Sequence, residues 1–261
     1  MGLFRCIACD YKTSVSAGTI FERTRKPLVT WFRAIWLVTS QKNGASAKGV
    51  QRVLGLGSYE TAWTWLHKLR RAMVRPGRDS LAGTIDVDET YVGGERSGKH
   101  GRGAEGKSLV LIAAQHDGDG IGRIRLRRAP DLCGETIVSA VQAMVAIGSV
   151  VHTDGLKSYN GLTTMGFVHK IVRNDEAAGT NLLPRCHRVA SLLKRWLLGT
   201  HQSFASSKHI DYYLDEFTFR FNRRTSRHRG LLFFRLLQQA MAIGPVPYDR
   251  IVNNETTEIS R

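Results

Sequence analysis

The stretch Gly83-Thr-Ile-Asp-Val-Asp-Glu-Thr-Tyr-Val92 decides how the rest of the chain is interpreted. Its β-branched and aromatic residues predict a strand. Side chains alternate along a strand, so Asp86 and Asp88 share one face and Glu89 takes the other. Two carboxylates on one buried face are costly unless something compensates them. Pairing with an arginine at the strand end would do so, and so would a bound cation.

The segments after this strand predict an α/β domain with a mixed sheet. Two more strands, Ser108–His116 and 121–128, flank Asp117-Gly-Asp-Gly120, which is a strong hairpin-turn signal. The remaining elements expected are a helix over 133–146, strands over 149–152 and 167–172, and helices over 184–198, 206–221 and 228–243.

A second acidic position follows the apolar strand Val150-Val-His-Thr-Asp154 at its carboxyl end. Ligands of open α/β sheets bind where neighbouring strands end, and two aspartates there would hold a hard divalent cation. On the helix that begins at Pro184, the residues His187, Ser191, Lys194 and Leu198 recur on one face. The histidine would ligate a metal or orient water, and the lysine would contact a phosphate. Taken alone, the two also fit an ordinary surface histidine and a solvated lysine.

Composition excludes several classes of protein. The 261 residues are 42% hydrophobic, enough for a core in one or two domains and too apolar for intrinsic disorder. The longest apolar run, Leu109–Ala114, is far too short for a membrane span, and no secretory signal opens the chain. Four cysteines do not indicate a disulfide-stapled secreted scaffold. We therefore expect a cytoplasmic protein without a membrane partner.

The positive charge is unevenly distributed. The net charge of +16 divides into +10 over residues 1–80, −1 over 81–180 and +7 over 181–261. Such a surplus favours a polyanionic partner, although a merely basic surface is the simpler alternative. Two basic ends around a carboxylate-rich centre fit two nucleic-acid-binding regions around a different kind of site.

The first basic region has the layout of a helix-turn-helix. Apolar residues at helical spacing follow Pro27, Ser46 caps a short helix that ends at Gly55, and Ser58 caps a longer helix through Met73. Bundles of three helices without DNA function share this pattern. Candidate DNA contacts on the last helix are Thr61, Thr64, Lys68 and Arg71.

The N-terminal pair Cys6-x-x-Cys9 is half of a zinc knuckle. Cys133 and Cys186 are distant, and we interpret them as packing cysteines. We expect Zn²⁺ here only if the ribbon is completed upstream or by another chain.

Several motifs occur together in a recognisable order. They are Cys6-x-x-Cys9, Val15-Ser-Ala-Gly-Thr-Ile-Phe21, Thr61-Ala-Trp63, Val87-Asp-Glu-Thr-Tyr-Val-Gly-Gly94, His152-Thr-Asp-Gly155, Leu193-Lys-Arg-Trp196, Gly199-Thr-His201 and Phe221-Asn-Arg-Arg224. Over Phe4 to about Leu237, the chain resembles the ISXO-type insertion-sequence transposases of bacteria. Members of that group have a zinc ribbon, a helix-turn-helix and a ribonuclease-H-like catalytic domain.

The resemblance implies a DDE-type transposase with Asp88 and Asp154 as catalytic aspartates, His187 at the third position and Lys194 as the associated basic residue. Two Mg²⁺ or Mn²⁺ ions held by these aspartates and His187 would activate water and then a 3′-hydroxyl for in-line attack on DNA. Imidazole suits softer ions better than Mg²⁺, so His187 is the unusual ligand. The other candidate DNA contacts are Arg96, Lys99 and Arg102 of the Gly-rich segment 93–106, together with Arg195.

The implied organisation is a truncated zinc-ribbon remnant over 1–21, a helix-turn-helix region and linker over 22–80, a catalytic domain over 81–244 and a polar tail over 245–261. The implied partners are the terminal inverted repeats of the element, target DNA and further copies of the chain. A degenerate transposase, or a helix-turn-helix protein that binds DNA without catalysis, is the main alternative. A ribonuclease-H-like nuclease or resolvase would share the aspartates but would not explain the N-terminal region.

Overall fold

The computed structural model describes residues 3–75, 77–93, 107–173, 182–201 and 207–253. Its elements, in chain order, are β1 (Leu3–Arg5), β2 (Lys12–Ser14), α1 (Leu28–Ser40), α2 (Ala47–Leu54), α3 (Tyr59–Ala72), β3 (Thr84–Val92), β4 (Ser108–Asp117), β5 (Gly120–Ala129), α4 (Gly134–Gln142), β6 (Val150–Thr153), a 3₁₀ helix (Lys157–Met165), β7 (Val168–Ile171), α5 (Pro184–His201), a 3₁₀ turn (Ser207–His209), α6 (Ile210–Phe221), α7 (Arg229–Ala242) and α8 (Tyr248–Asn253). Two compact units divide the chain: the first lies within 1–76 and 226–259, and the second within 77–225.

Helices α1, α2 and α3 belong to the first unit, and α2 and α3 carry the expected caps. The Ser46 and Ser58 side chains accept hydrogen bonds from the amides of Gly49 and Thr61, and Gly55 ends α2 in the left-handed conformation. These caps satisfy amides at helix ends that have no partner inside the helix. They also explain why α2 and α3 begin where the sequence predicts.

Aromatic stacking holds α1 and α3 together. The ring of Trp31 stacks on that of Trp65 with centroids 3.8 Å apart, and Phe21 meets Trp31 edge-on at 5.1 Å. Trp31 and Phe21 are fully buried, and the Trp31 indole donates to the Thr24 hydroxyl at 2.8 Å. Burial of these rings contributes apolar stabilisation between the two helices.

The second unit is built on a five-stranded sheet of order β5-β4-β3-β6-β7. β3 pairs antiparallel with β4 and parallel with β6, and the parallel register aligns Asp86 with His152. Helix α4 and the 3₁₀ helix 157–165 cover one face, with a core that includes Ile85, Val87 and Tyr159. Helices α5 and α6 cover the other face. The prediction of a mixed sheet flanked by helices is confirmed.

Several boundaries differ from expectation. The helix expected over 133–146 ends at Gln142, and the 3₁₀ helix 157–165 was not predicted at all. Residues 226–253, including α7, pack with the first unit, although 81–244 was expected to be one catalytic domain. In the expected polar tail, α8 buries Ile251 completely. Within the described ranges, no helix is both long and apolar enough to span a bilayer.

Candidate active site

Three carboxylates come together where β6 ends beside the central strand β3. Because Asp86 pairs with His152 across β3 and β6, Asp88 and Asp154 both lie two residues further along parallel chains. One ligand oxygen each from Asp88, Glu89 and Asp154 lies within 4.8 Å of the others. That spacing permits a shared cation, and carboxylate oxygen is the ligand that Mg²⁺ and Mn²⁺ prefer. The donor set therefore fits the divalent ions expected from the sequence.

A tight turn positions Asp154 after β6. Its carboxylate accepts a hydrogen bond from the Leu156 amide at 3.0 Å, and the Gly155 amide donates to the buried Thr153 hydroxyl at 3.3 Å. Gly155 has φ +87°, and a Cβ there would meet Ile171 at 2.8 Å. Only glycine fits both the backbone conformation and the space. The His152-Thr-Asp-Gly155 motif is therefore explained by geometry.

Glu89 is held from the opposite face of β3. The hydroxyl of Tyr159, which is fully buried in the 3₁₀ helix, donates to the Glu89 carboxylate at 3.0 Å. Burial, followed by the Glu89 charge, raises the pKa of Tyr159, so the phenol remains a donor at neutral pH. Tyr159 thereby orients Glu89 towards the other two carboxylates.

Asp88 is the carboxylate with the most perturbed acidity. Burial, with the Glu89 and Asp154 charges adding to it, raises the pKa of Asp88 to about 6, while the Glu89 amide and His187 oppose the rise. The imidazole Nε2 of His187 on α5 lies 3.2 Å from the Asp88 carboxylate. A carboxylate whose ionised form is disfavoured by neighbouring charge gains most from a cation placed beside it.

A cavity of about 600 Å³ opens over these groups. Its lining contains three residues of the predicted α5 face, and Leu198, the fourth, does not line it. The lining residues are Asp88, Glu89, Thr90, Asp154, His187, Ala190, Ser191 and Lys194. The lining thus combines three carboxylates with one ammonium group. That combination suits a phosphodiester bound between cations and a lysine.

Comparison with known proteins gives the family. The model of the ISXO2-like transposase domain matches residues 80–222, more than half of the chain. The chain belongs to the ISXO2-like transposase family. The match contains all four residues expected at the catalytic centre. A protein described as uncharacterised in transposable element ISH50 of Halobacterium salinarum is 26% identical over 213 residues, 74% of this chain and 70% of that protein.

Two solved structures have a loose likeness to this ISXO2-like transposase. One is the simian T-cell lymphotropic virus intasome in complex with PP2A regulatory subunit B56 gamma, at 12% identity and a TM-score of 0.38 over 70% of both chains. The other is the Mos1 transposase paired-end complex with left transposon end, at 11% identity and a TM-score of 0.36 over 90% of this chain and 82% of that one. The family assignment rests on the sequence match alone.

The expected DNA contacts of the transposase lie in different settings. Positions 61, 64, 68 and 71 share one face of α3 and are half-buried, and burial lowers the pKa of Lys68. Arg195 is exposed on α5, one residue beyond Lys194, and does not line the cavity. Arg96, Lys99 and Arg102 lie outside the described residues. All of these contacts stay predictions.

The cysteines divide into two kinds. Cys6 and Cys9 are exposed near the turn between β1 and β2, and hydrogen bonds from the Cys9 and Ala8 amides lower the pKa of Cys6. Neither belongs to a cluster of three or more metal ligands in the part of the chain that the structure describes. Cys186 is buried, as expected for a packing cysteine. The same expectation is wrong for Cys133, which is exposed at the start of α4 because the apolar face of that helix begins later.

Sequence reasoning missed the groups that position the site. Tyr159 has no motif signal, because it belongs to a segment without helical or strand periodicity. The pairing of the Thr153 hydroxyl with His169 Nε2, at 2.9 Å, joins β6 to β7 and depends on a parallel register that the sequence does not show.

Proposed function

We propose that this chain is a DNA transposase that binds the terminal inverted repeats of a bacterial insertion sequence and catalyses phosphodiester cleavage and strand transfer. The observation that carries the proposal is the convergence of Asp88, Glu89 and Asp154, together with His187 and Lys194, on one cavity. A protein that only binds DNA has no use for three clustered carboxylates, which destabilise one another. An enzyme that binds cations and phosphate needs them.

The carboxylates would hold two Mg²⁺ or Mn²⁺ ions. When bound, such ions supply the charge that activates the attacking oxygen and stabilises the leaving oxygen. Asp88 on β3 and Asp154 directly after β6 would act as ligands, and the β3–β6 ladder maintains their spacing. Tyr159 orients Glu89. Because the Glu89 side chain is then already held in place, less conformational entropy is lost when it binds a cation.

The helix α5 would supply the remaining chemistry. Lys194 contributes an ammonium group to the cavity lining, from which it would contact the phosphate beside the scissile bond. The His187 imidazole, 3.2 Å from Asp88, would orient water or hold a proton there. Both act from one helical face, since they are seven residues apart.

The basic regions would bind DNA outside the cavity. The net charge of +10 over residues 1–80 includes the α2–α3 pair, whose capped geometry fits a helix-turn-helix. Cleavage at two element ends implies at least two copies of the chain on DNA. The enzyme would act in the bacterial cytoplasm, where its DNA is.

Cleavage of labelled DNA carrying the ends of the encoding element tests this proposal. Asp88→Asn and Asp154→Asn should lose Mg²⁺- or Mn²⁺-dependent nicking while their affinity for the same DNA changes little. Asp119→Asn, at the exposed β4–β5 turn, is the matched control and should cleave normally.

Two results would contradict the proposal. Cleavage by both active-site variants at the wild-type rate would mean that the carboxylate cluster is not catalytic. Specific binding of the ends by wild-type protein with no cleavage in either metal would favour a degenerate transposase that only binds DNA.

A further inference from the structure

A second group of potential metal-ligating side chains lies on the face of the sheet that carries Asp88. Asp86 of β3 is 2% exposed, and His116 Nε2 of β4 and His152 Nδ1 of β6 lie 2.5 and 3.3 Å from the same Asp86 oxygen. One donor atom from each residue lies within 4.8 Å of the others. The two imidazole rings meet edge-on, with centroids 5.5 Å apart. Three adjacent strands thus place two nitrogens and one oxygen around a single point.

The chemistry of this donor set differs from that of the active site. Asp88, Glu89 and Asp154 offer only oxygen, which suits Mg²⁺ and Mn²⁺, whereas two imidazoles with one carboxylate suit Zn²⁺ and similar borderline ions. The two groups are two residues apart along β3, a separation of about 7 Å. An ion bound to one group is therefore not shared with the other.

The second carboxylate oxygen of Asp86 pairs with an arginine. Arg185 Nη1, from α5, lies 3.7 Å from Asp86 Oδ2, while both histidines approach Oδ1. The Arg185 guanidinium is further anchored by the carbonyls of Gly118 and Gly120 at the β4–β5 turn. This arrangement fixes the rotamer of the carboxylate and leaves Oδ1 directed at the two imidazoles, as the outer partners of metal ligands commonly do.

We propose that Asp86, His116 and His152 bind one Zn²⁺ or chemically similar divalent ion, separate from the ions of the active site. The ion would join β3, β4 and β6 beneath Asp88 and Asp154 and so stiffen the strands that position those carboxylates. Water would complete the coordination, since the two histidine side chains are 24% and 23% exposed. This site does not depend on the proposed transposition activity.

An ion-pair cluster is the competing explanation of the same geometry. Protonated histidines and Arg185 would then neutralise Asp86 without a metal. The two explanations differ in a measurable way, because only a metal site gains stability from added Zn²⁺ by mass action.

Equilibrium dialysis with Zn²⁺ at pH 7.5 tests the site in the full chain carrying Cys6→Ser and Cys9→Ser, which removes the exposed thiols. This parent should bind one Zn²⁺ with an affinity that drops at least tenfold in His116→Gln and in His152→Gln. His228→Gln, at an exposed position in the first unit, should bind as the parent does. Adding Asp88→Asn and Asp154→Asn to the parent should leave this ion in place.

A second measurement applies if the glutamine variants do not fold. Diethyl pyrocarbonate should modify His116 and His152 of the parent in EDTA, and Zn²⁺ should protect both while leaving His228 reactive, as read by mass spectrometry. Protection of neither histidine, or Zn²⁺ binding that disappears with Asp88→Asn and Asp154→Asn alone, would overturn the proposal and leave the ion-pair cluster as the explanation.

Discussion

At the scale of single residues, Asp88 combines a stability cost with the proposed catalytic role. Its folded pKa of about 6 lies above the usual value of an aspartate, so between about pH 4 and 6 the folded protein binds more protons than the unfolded chain. Stability from this group therefore falls as the pH rises through that window. At neutral pH the ionised carboxylate destabilises the metal-free protein.

Asp88→Asn should accordingly stabilise the protein in EDTA while abolishing cleavage. We expect a gain of about 2 kcal/mol in the free energy of unfolding at pH 7.5 and almost none at pH 4. Urea unfolding at the two pH values measures it, with Asp119→Asn as the control. Equal effects of Asp88→Asn at both pH values would show that its carboxylate is not destabilised by burial and neighbouring charge.

Tyr159 allows the orientation of Glu89 to be tested without removing a carboxylate. Tyr159→Phe deletes only the hydroxyl that donates to Glu89, a hydrogen bond to a charged group worth about 1.5–3 kcal/mol. We expect the concentration of Mg²⁺ that gives half-maximal cleavage to rise several-fold, with the fold unchanged by circular dichroism. An unchanged metal dependence would show that Glu89 needs no positioning or is not a ligand.

At the scale of elements, the strands could be predicted and their connections only partly. Alternation in Gly83–Val92 and the glycines of Asp117–Gly120 locate β3, β4 and β5 almost to the residue, because each signal is local. The 3₁₀ helix 157–165 has no such signal, and it owes its position to the burial of Tyr159 and Leu162. Likewise, Pro245 and Pro247 argue against a helix in the sequence, so α8 is not predicted there. Its Ile251 is fully buried in the folded protein.

Asn222, in the Phe221-Asn-Arg-Arg224 motif, binds the edge strand β5 at the end of α6. Its side chain accepts a hydrogen bond from the Ile124 amide at 2.7 Å and donates one to the Ile124 carbonyl at 3.0 Å. It thereby satisfies the backbone groups that a neighbouring strand would otherwise pair with. Ile124 is fully buried, and an unpaired amide there would be costly.

Asn222→Ala should therefore lower the free energy of unfolding by about 2–3 kcal/mol, since two hydrogen bonds are lost and the Ile124 backbone is left without its partners. Asn222→Asp keeps an acceptor for the amide but places a negative charge against the carbonyl, so it should not rescue stability. Asn160→Ala, at an exposed position, is the control for urea unfolding. A loss below about 0.5 kcal/mol for Asn222→Ala would show that water replaces the two hydrogen bonds to Ile124.

At the scale of the whole molecule, the chain order and the architecture do not coincide. Charge along the sequence separates basic ends, 1–80 and 181–261, from a balanced centre over 81–180, whereas the resemblance places 226–244 in the catalytic domain. In the structure α7 packs on α1, with Phe233 meeting Phe32 and Trp36 edge-on at 6.5 and 6.2 Å, and the Ile20 amide donates to the Ala240 carbonyl. The sequence does not predict this arrangement, because its local pattern shows that α7 has an apolar face but not which unit that face packs against.

The first unit is therefore discontinuous in sequence, and this predicts an asymmetric response to truncation. A fragment of residues 77–225 contains its whole sheet and both helical layers, so it should unfold cooperatively on its own. A fragment of residues 1–76 lacks α7 and α8, so Phe32 and Trp36 of α1 lose their packing against Phe233. It should show weak helicity and no cooperative transition until a peptide of residues 226–259 is added, because short helices depend on tertiary packing.

Circular dichroism with thermal unfolding measures the behaviour of both fragments. A cooperative transition in 1–76 alone would show that α7 contributes nothing essential to the unit, and failure of 77–225 to fold would show that the division of the chain into two units does not reflect independent stability.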